Sequence, residues 1–368
     1  MSTPTATTAT PLEPAAPPPE AGTRKEGRAR TAALAVLRTL APVLVALIVG
    51  GLVLQVSGIN PLAVYELMLT HAFGTREGLA GTLTSSTPVL FTGVATAISF
   101  RAGVFSLGAE AGFVLGGLTA AWLAVAVDGP VVVVTLVAMA GAVVAGGLFS
   151  VVPALLKTQL GVDEVVSTLM FTFVATGLVG WIVNAYLLAP GQANSSTESV
   201  PFSLPRLLPP SSLNIGFLIA VALVAAYWVF LRRTSVGADL HHVGVNARFA
   251  AAQGIAVNKV VFAAMVATGA IAALGGAVHA LGVVGKFVVG GFSAEYGFTG
   301  IAVALLARRS AWGLIPAAIM FGAFANAGTT IQLFDNIPLD IVDVLQGTVM
   351  VFAVASFTLH LKRRRTAA

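Results

Sequence analysis

The sequence predicts an all-α, polytopic membrane helix bundle of about ten transmembrane helices, with both termini cytoplasmic. Three observations carry that prediction. Of 368 residues, 57% are hydrophobic and 10% charged, with a mean hydropathy of +0.92, whereas soluble domains carry about 25% charged residues. The apolar residues fall into runs near the roughly 20 residues that span a bilayer. The basic residues lie between those runs, mostly on one side.

The apolar runs are 39–56, 80–100, 104–126, 131–155, 165–188, 213–231, 260–281, 297–307, 311–328 and 341–360. The eighth is short for a crossing and is expected to belong to a bent or re-entrant segment. With the N-terminus inside, Arg24, Lys25, Arg28, Arg30, Arg38, Arg101, Lys157, Arg232, Arg233, Arg248, Lys259, Arg308, Arg309 and Lys362–Arg365 face the cytoplasm. Only Arg76, Arg206 and Lys286 lie outside, so 17 of the 20 basic residues obey the positive-inside rule. The net charge of +5 then reflects anchoring on an anionic inner leaflet, and no nucleic-acid partner is expected.

Three regions follow. Residues 1–38 are rich in Pro, Ala and Thr and then basic, a composition that buries no core and reads as a disordered cytoplasmic tail. It holds no signal-peptide pattern, so the first apolar run is expected to stay as a membrane helix. Residues 39–361 form the transmembrane domain, and 362–368 a basic tail. Outside, 57–79 is expected to contain a short amphipathic surface helix, and the Pro/Ser-rich 189–212 to form an outer loop.

Small residues recur every four positions at Gly108, Gly112, Gly116 and Ala120, and again at Ala272, Gly276 and Ala280. Each set makes a flat stripe that lets helix backbones approach closely. The expectation is a tightly packed bundle.

Catalytic patterns are missing. There is no cysteine, hence no thiolate metal site or cysteine nucleophile. The five histidines are scattered, and no metal or cofactor site is expected. The Gly285-Lys286 pair is followed by Phe287, so it is not the phosphate-cradling G-x-x-x-x-G-K-[ST] loop. The chain is not expected to be an enzyme. Energy must come from an ion gradient or from another subunit. Ionisable groups inside a bilayer cost about 2.5–3.5 kcal/mol on insertion scales, and Glu110 is the clear instance, with His279 and Asp343 nearer span ends. Two readings of Glu110 stand open, a carboxylate bonded across helices and a group on a solute path. Asp163 and Glu164 begin a helix, where acids complement its dipole.

Between the sixth and seventh apolar runs, the cytoplasmic loop 232–259 holds DLHHVGVNARFAAAQGIAVNK. Asn246 is a suitable N-cap, Ala247–Gln253 a two-turn helix roughly 10 Å long, and Gly254 its C-terminal stop. So short a helix is marginal alone and should be ordered by docking. Between two membrane spans, it is placed to pass a push from a soluble partner into both.

This loop resembles the cytoplasmic coupling segment of ABC-type importer permeases, whose pattern G-x-N-x-x-A-A-x-x-x-G-I is followed from Gly244 to Ile255 except at Phe249, which stands where the pattern has alanine. Three further stretches resemble the simple-sugar and nucleoside branch, which works with basic-membrane-protein-type binding lipoproteins. They are FRAGVFSLGAEAG (Phe100–Gly112), GVDEVVSTLM (Gly161–Met170) and YGFTGIAVALLARRSAWG (Tyr296–Gly313). The likeness implies a multi-pass subunit of the bacterial plasma membrane that imports nucleosides, with a ribose-like sugar, or an ion-coupled mechanism, as the alternatives. It implies three kinds of partner besides the lipid bilayer: a second permease, homologous or identical; ATPase subunits that bind ATP and Mg; and an outer substrate-binding lipoprotein. Asp239, Val243, Gly244, Asn246, Arg248, Phe249, Ala250 and Gly254 would couple to the ATPase. Phe105, Ser106, Glu110, Thr168, Phe171 and Asn326 would line the path, their uncharged hydrogen-bonding groups and aromatic faces suiting a neutral, ring-bearing solute. Ser106 stands where that branch has asparagine, and Ala111-Gly112 where it has Gly-Gln, which bears on substrate identity. Ala311 stands where a proline is common.

Overall fold

The computed structural model describes residues 44–335 except 46, 53, 57, 59, 192, 193, 308 and 309, and beyond 335 only 344, 346–348 and 351. Both predicted tails, part of the first apolar run, most of the tenth, and Arg308 and Arg309 lie outside the described residues.

Eleven helices are named here: α1 (Pro61–Phe73), α2 (Arg76–Arg101), α3 (Ala109–Ala126), α4 (Val131–Leu160), α5 (Glu164–Ile182), α6 (Gly216–Arg233), α7 (Ser235–Val245), α8 (Ala247–Ala252), α9 (Val257–His279), α10 (Tyr296–Leu306) and α11 (Leu314–Asp335). Wider π-turns, Val183–Leu187 and Ala280–Val284, extend α5 and α9 outward. Seven helices among the described residues (α2, α3, α4, α5, α6, α9 and α11) are long and apolar enough to cross a membrane. The fold is an all-α membrane bundle.

Local sequence sets the ends of these helices. Asn60 accepts from Leu62 N–H at 3.1 Å with Pro61 at the first helical position, which starts α1. Val64, Met68 and Ala72, one turn apart, are buried in a cluster with Ala323, Ala327 and Ile331 of α11. The amphipathic helix expected outside is therefore pinned to the bundle. Asp163 accepts from Val165 and Val166 N–H at 2.9 and 3.1 Å, which makes it the cap of α5. Gly161 turns the chain between α4 and α5 at φ 68°, and Lys157 and Glu164 pair across that turn.

At the centre, α9 packs against α4, α3 and α2. The small-residue expectation holds. A Cβ on Gly116 would fall on the backbone of Ala273, one on Gly276 on the carbonyl of Phe113, and one on Gly146 on Gly269 and Ala273. The stripe of α9 that meets α3 and α4 is thus Gly269, Ala273 and Gly276. Ala272, from the stripe read in the sequence, joins Ala95 of α2 and Ala109 at the start of α3. Small residues of α9 thus meet α2, α3 and α4.

The outer loop is laced to the bundle rather than loose. Thr197 N–H donates to Phe287 O at 2.9 Å, Val200 to Gly285 O at 2.7 Å, and Leu204 to Leu281 O at 3.1 Å. Buried Asn214 donates to Gly282 O at 3.0 Å. These bonds occupy backbone groups that would otherwise stand unpaired near lipid.

Candidate functional site

Two regions hold the residues singled out in the sequence. The first is the cytoplasmic loop. Thr234 accepts from Gly237 N–H at 3.0 Å and starts α7. That helix was not foreseen; the signal was a Thr-Ser N-cap ahead of an alternating apolar face. Asn246 accepts from Phe249 N–H at 3.1 Å and starts α8. The cap predicted in sequence is present, and the helix ends at Ala252, with Gln253 as its C-terminal boundary and Gly254 at φ 83°.

The predicted coupling residues divide into two sets. Asn246, Arg248, Phe249 and Gly254 are exposed, with Phe249 57% so. Val243 and Ala250 are buried, at 4% and 0%, and Asp239 and Gly244 lie between. The loop is fixed at several points. Asn258 donates to Thr158 O of α4 at 3.1 Å. Gly244 meets the backbone of Arg101 and Gly103 so closely that no side chain fits there. Sequence reading missed the Gly103 partner, whose φ of 78° marks the turn off the end of α2.

The second region follows that turn. The third apolar run was expected to be helical from 104, but residues 104–107 are not helical and α3 begins at Ala109. Phe105 is 38% exposed and stacks on Phe100 at 4.9 Å. Ser106 and Thr168 are buried, and their hydroxyls bond backbone: Ser106 accepts from Gly108 N–H at 3.3 Å, and Thr168 accepts from Leu107 N–H at 3.0 Å and donates to Glu164 O at 2.6 Å. Thr168 thereby holds the irregular stretch against α5.

One turn further, buried Glu110 accepts from Gly297 N–H at 2.6 Å, and the Ser293 hydroxyl also reaches its carboxylate. Gly297 is at the start of α10, which gets no side-chain cap from its own N-cap residue, Glu295. Glu110 also sits in the first turn of α3. One carboxylate therefore faces two helix N-termini, each of which favours negative charge. Thr92 of α2 donates to Tyr296 O at 2.8 Å and fixes the depth of the junction, since nine residues separate Thr92 from Arg101, about 14 Å of helix. With about 16 Å of helix, α10 covers about half of a 30 Å hydrocarbon core. The short eighth run forms a helix of about half-membrane length.

The other two path residues meet different partners. Phe171, one turn from Thr168 on α5, packs edge-on against Phe149 of α4 at 5.6 Å. Asn326 donates to Gly78 O at 3.0 Å and joins α11 to the outer end of α2. Ser106, Glu110 and Thr168 thus flank one break in the helices, with Phe171 a turn beyond Thr168 and Asn326 at the other end of α2. Among the described residues, no three His, Asp or Glu side chains converge to hold a metal.

The Glu110 geometry sets a prediction. Glu110→Gln keeps an acceptor for Gly297 N–H and is expected to retain thermal stability in detergent. Glu110→Ala leaves that buried N–H without a partner, at a cost of about 1–3 kcal/mol. Equal destabilisation by both variants, read as Tm by differential scanning fluorimetry, would show that the charge and not the hydrogen bond matters.

Residues 78–354 match the family model described as "Branched-chain amino acid transport system / permease component". The chain is 28% identical to the guanosine ABC transporter permease protein NupP of Bacillus subtilis, over 87% of this chain and 93% of that one. It is 31% identical to the glucose ABC transporter permease protein TsgB13 of Haloferax volcanii, over 85% and 86%. With the nucleoside ABC transporter permease protein NupB of Lactococcus lactis it shares 26% identity, over 89% and 92%. The match over most of its length, with seven described helices long and apolar enough to cross a membrane, makes this chain a member of that permease family, a multi-pass membrane component of an ABC transporter that works without an enzymatic activity of its own.

Proposed function

We propose that the chain is the permease subunit of an importer for nucleosides, powered by ATPase subunits that dock on α7 and α8. The observation that carries the docking is Phe249, a large apolar side chain exposed on a capped cytoplasmic helix between spans α6 and α9. Such a residue suits an aromatic anchor in a partner's pocket. Movement of α8 passes to α9 along the chain and, through the Gly244 contact, to the segment bearing Phe105, Ser106 and Glu110. Around that break the short α10 meets the start of α3, the kind of discontinuity at which membrane transporters switch access.

Asp239, Val243, Gly244, Asn246, Arg248, Phe249, Ala250 and Gly254 form the coupling set in this reading. Ser106, Glu110, Thr168 and Phe105 lie on the path, with Phe171 and Asn326 as outlying members. ATP and Mg are bound by the ATPase partners. A second permease completes the channel, and an outer binding lipoprotein delivers the solute. Two of the three relatives named above are permeases for guanosine or nucleosides, which supports a nucleoside over a sugar. The glucose permease relative supports the sugar alternative.

Uptake of labelled uridine into proteoliposomes holding the whole transporter tests the reading. Guanosine is expected to compete and ribose not. Competition by ribose alone would replace the substrate while keeping the machine. Uptake that survives removal of ATP but collapses with an ionophore would replace the machine.

A further inference from the structure

A groove of about 340 Å³ lies on the cytoplasmic half of the bundle between α6 and α9, where α6 leans on α2 and stands off from α9. Ile98 of α2 forms part of its floor, and Val236 and Leu240 of α7 close its cytoplasmic end. Every lining residue is apolar except Tyr227, whose hydroxyl donates to Ala97 O at 3.3 Å. Nothing polar is left in it to hold a nucleoside or a sugar.

Length, width and charge select the occupant. Along α9 the lining runs from Val260 to Ile271, about 16 Å at 1.5 Å per residue. That equals one leaflet of a hydrocarbon core about 30 Å thick. A neighbouring helix about 10 Å across and as long as the groove has several times its volume, whereas an acyl chain is thin enough to enter.

The charge lies where a headgroup would be. On α6 the lining includes Leu223, Tyr227 and Phe230, and one turn onward on that face is Arg233. On α9 the lining includes Ala263 and Ala267, and one turn back is Lys259. Both basic residues are exposed. Two helices thus end their groove-facing rows in a cation at the level of the inner leaflet's headgroups.

We propose that this groove binds one anionic phospholipid of the inner leaflet, with an acyl chain between α6 and α9 and its headgroup held by Arg233 and Lys259. The lipid contacts α7, the helix that abuts the end of α2 through Gly244. The site steadies α6 and α7 against the bundle and makes the position of α7 sensitive to inner-leaflet charge. It stands on the fold alone and does not depend on the substrate.

Native mass spectrometry of the full chain in mild detergent, titrated with phosphatidylglycerol or phosphatidylcholine, is the test. With two basic side chains each attracting an anionic headgroup, phosphatidylglycerol is expected to bind roughly 30-fold more tightly than phosphatidylcholine. Arg233→Gln combined with Lys259→Gln, at exposed positions that leave packing intact, should remove the preference and leave phosphatidylcholine binding as it was. Ala263→Phe, at an exposed groove position, should displace both lipids. Equal binding of the two lipids by the unaltered chain, or a preference that survives the double variant, overturns the proposal. So does efficient cross-linking of Ala226→Cys to a second subunit in the assembled transporter, which would make the groove a protein interface.

Discussion

Phe249→Asp is expected to cut ATP-driven uptake at least about 30-fold while leaving abundance and thermal stability unchanged. The side chain is 57% exposed, and its removal opens no cavity. The bond that starts α8 uses the Phe249 backbone N–H and the Asn246 side chain, so the helix keeps its cap. A buried aromatic anchor at an interface is worth 2 kcal/mol or more, about 30-fold in binding, and an aspartate adds the cost of burying a charge against the partner. The measurement pairs uptake in proteoliposomes with co-purification of the ATPase. Normal uptake with the ATPase bound would remove the coupling assignment. Gly254→Pro reaches the same end differently: Gly254 has φ 83° and donates its N–H to Ala251 O at 3.0 Å, whereas proline fixes φ near −65° and has no N–H. It should misplace α9's entry while membrane insertion persists.

Gly276→Val is expected to destabilise the bundle by about 3 kcal/mol or more, at the upper end of overpacking costs. A Cβ there falls on the Phe113 carbonyl and lies 2.8 Å from Gly117 N. The obstacle is backbone, so no side-chain rotation relieves it, and α3 and α9 must separate. Separation also loosens Gly116 against Ala273 in the same interface, so the effects of paired substitutions should not add. Gly177→Val supplies the control. That glycine is exposed, and a Cβ on it meets nothing within 4 Å. Monodispersity and Tm in detergent separate the two; equal behaviour would deny that the α3–α9 contact holds the fold.

The features legible in the sequence were those set by neighbours along the chain. The Asn246 cap, the Gly254 stop, the Asp163 cap and the helix at Pro61–Phe73 depend on hydrogen bonds and backbone angles within a few residues. The apolar spans were legible because lipid rewards apolar length whatever the neighbours. Which row of small residues on α9 meets which partner was not legible, because the rows facing α2, α3 and α4 all carry them and spacing alone does not rank them. Asn326 was grouped with Ser106 and Thr168 by chemistry, and its bond to Gly78 O at the start of α2 could not be read from the sequence.

The sequence by itself determined the membrane setting, the bundle, the orientation implied by its basic residues and the short capped helix at the cytoplasmic loop. Each follows from composition or from local bonding. Only the tertiary structure decided that Glu110 closes the start of α10, a contact between residues 187 apart in sequence, and that Gly244 rests on Arg101 and Gly103. A carboxylate buried in the bundle must find donors, but the one closing α10 is the backbone N–H of Gly297, a group that every residue except proline carries. That donor is therefore not written in any side chain, and it emerges only when packing brings the two helix ends together.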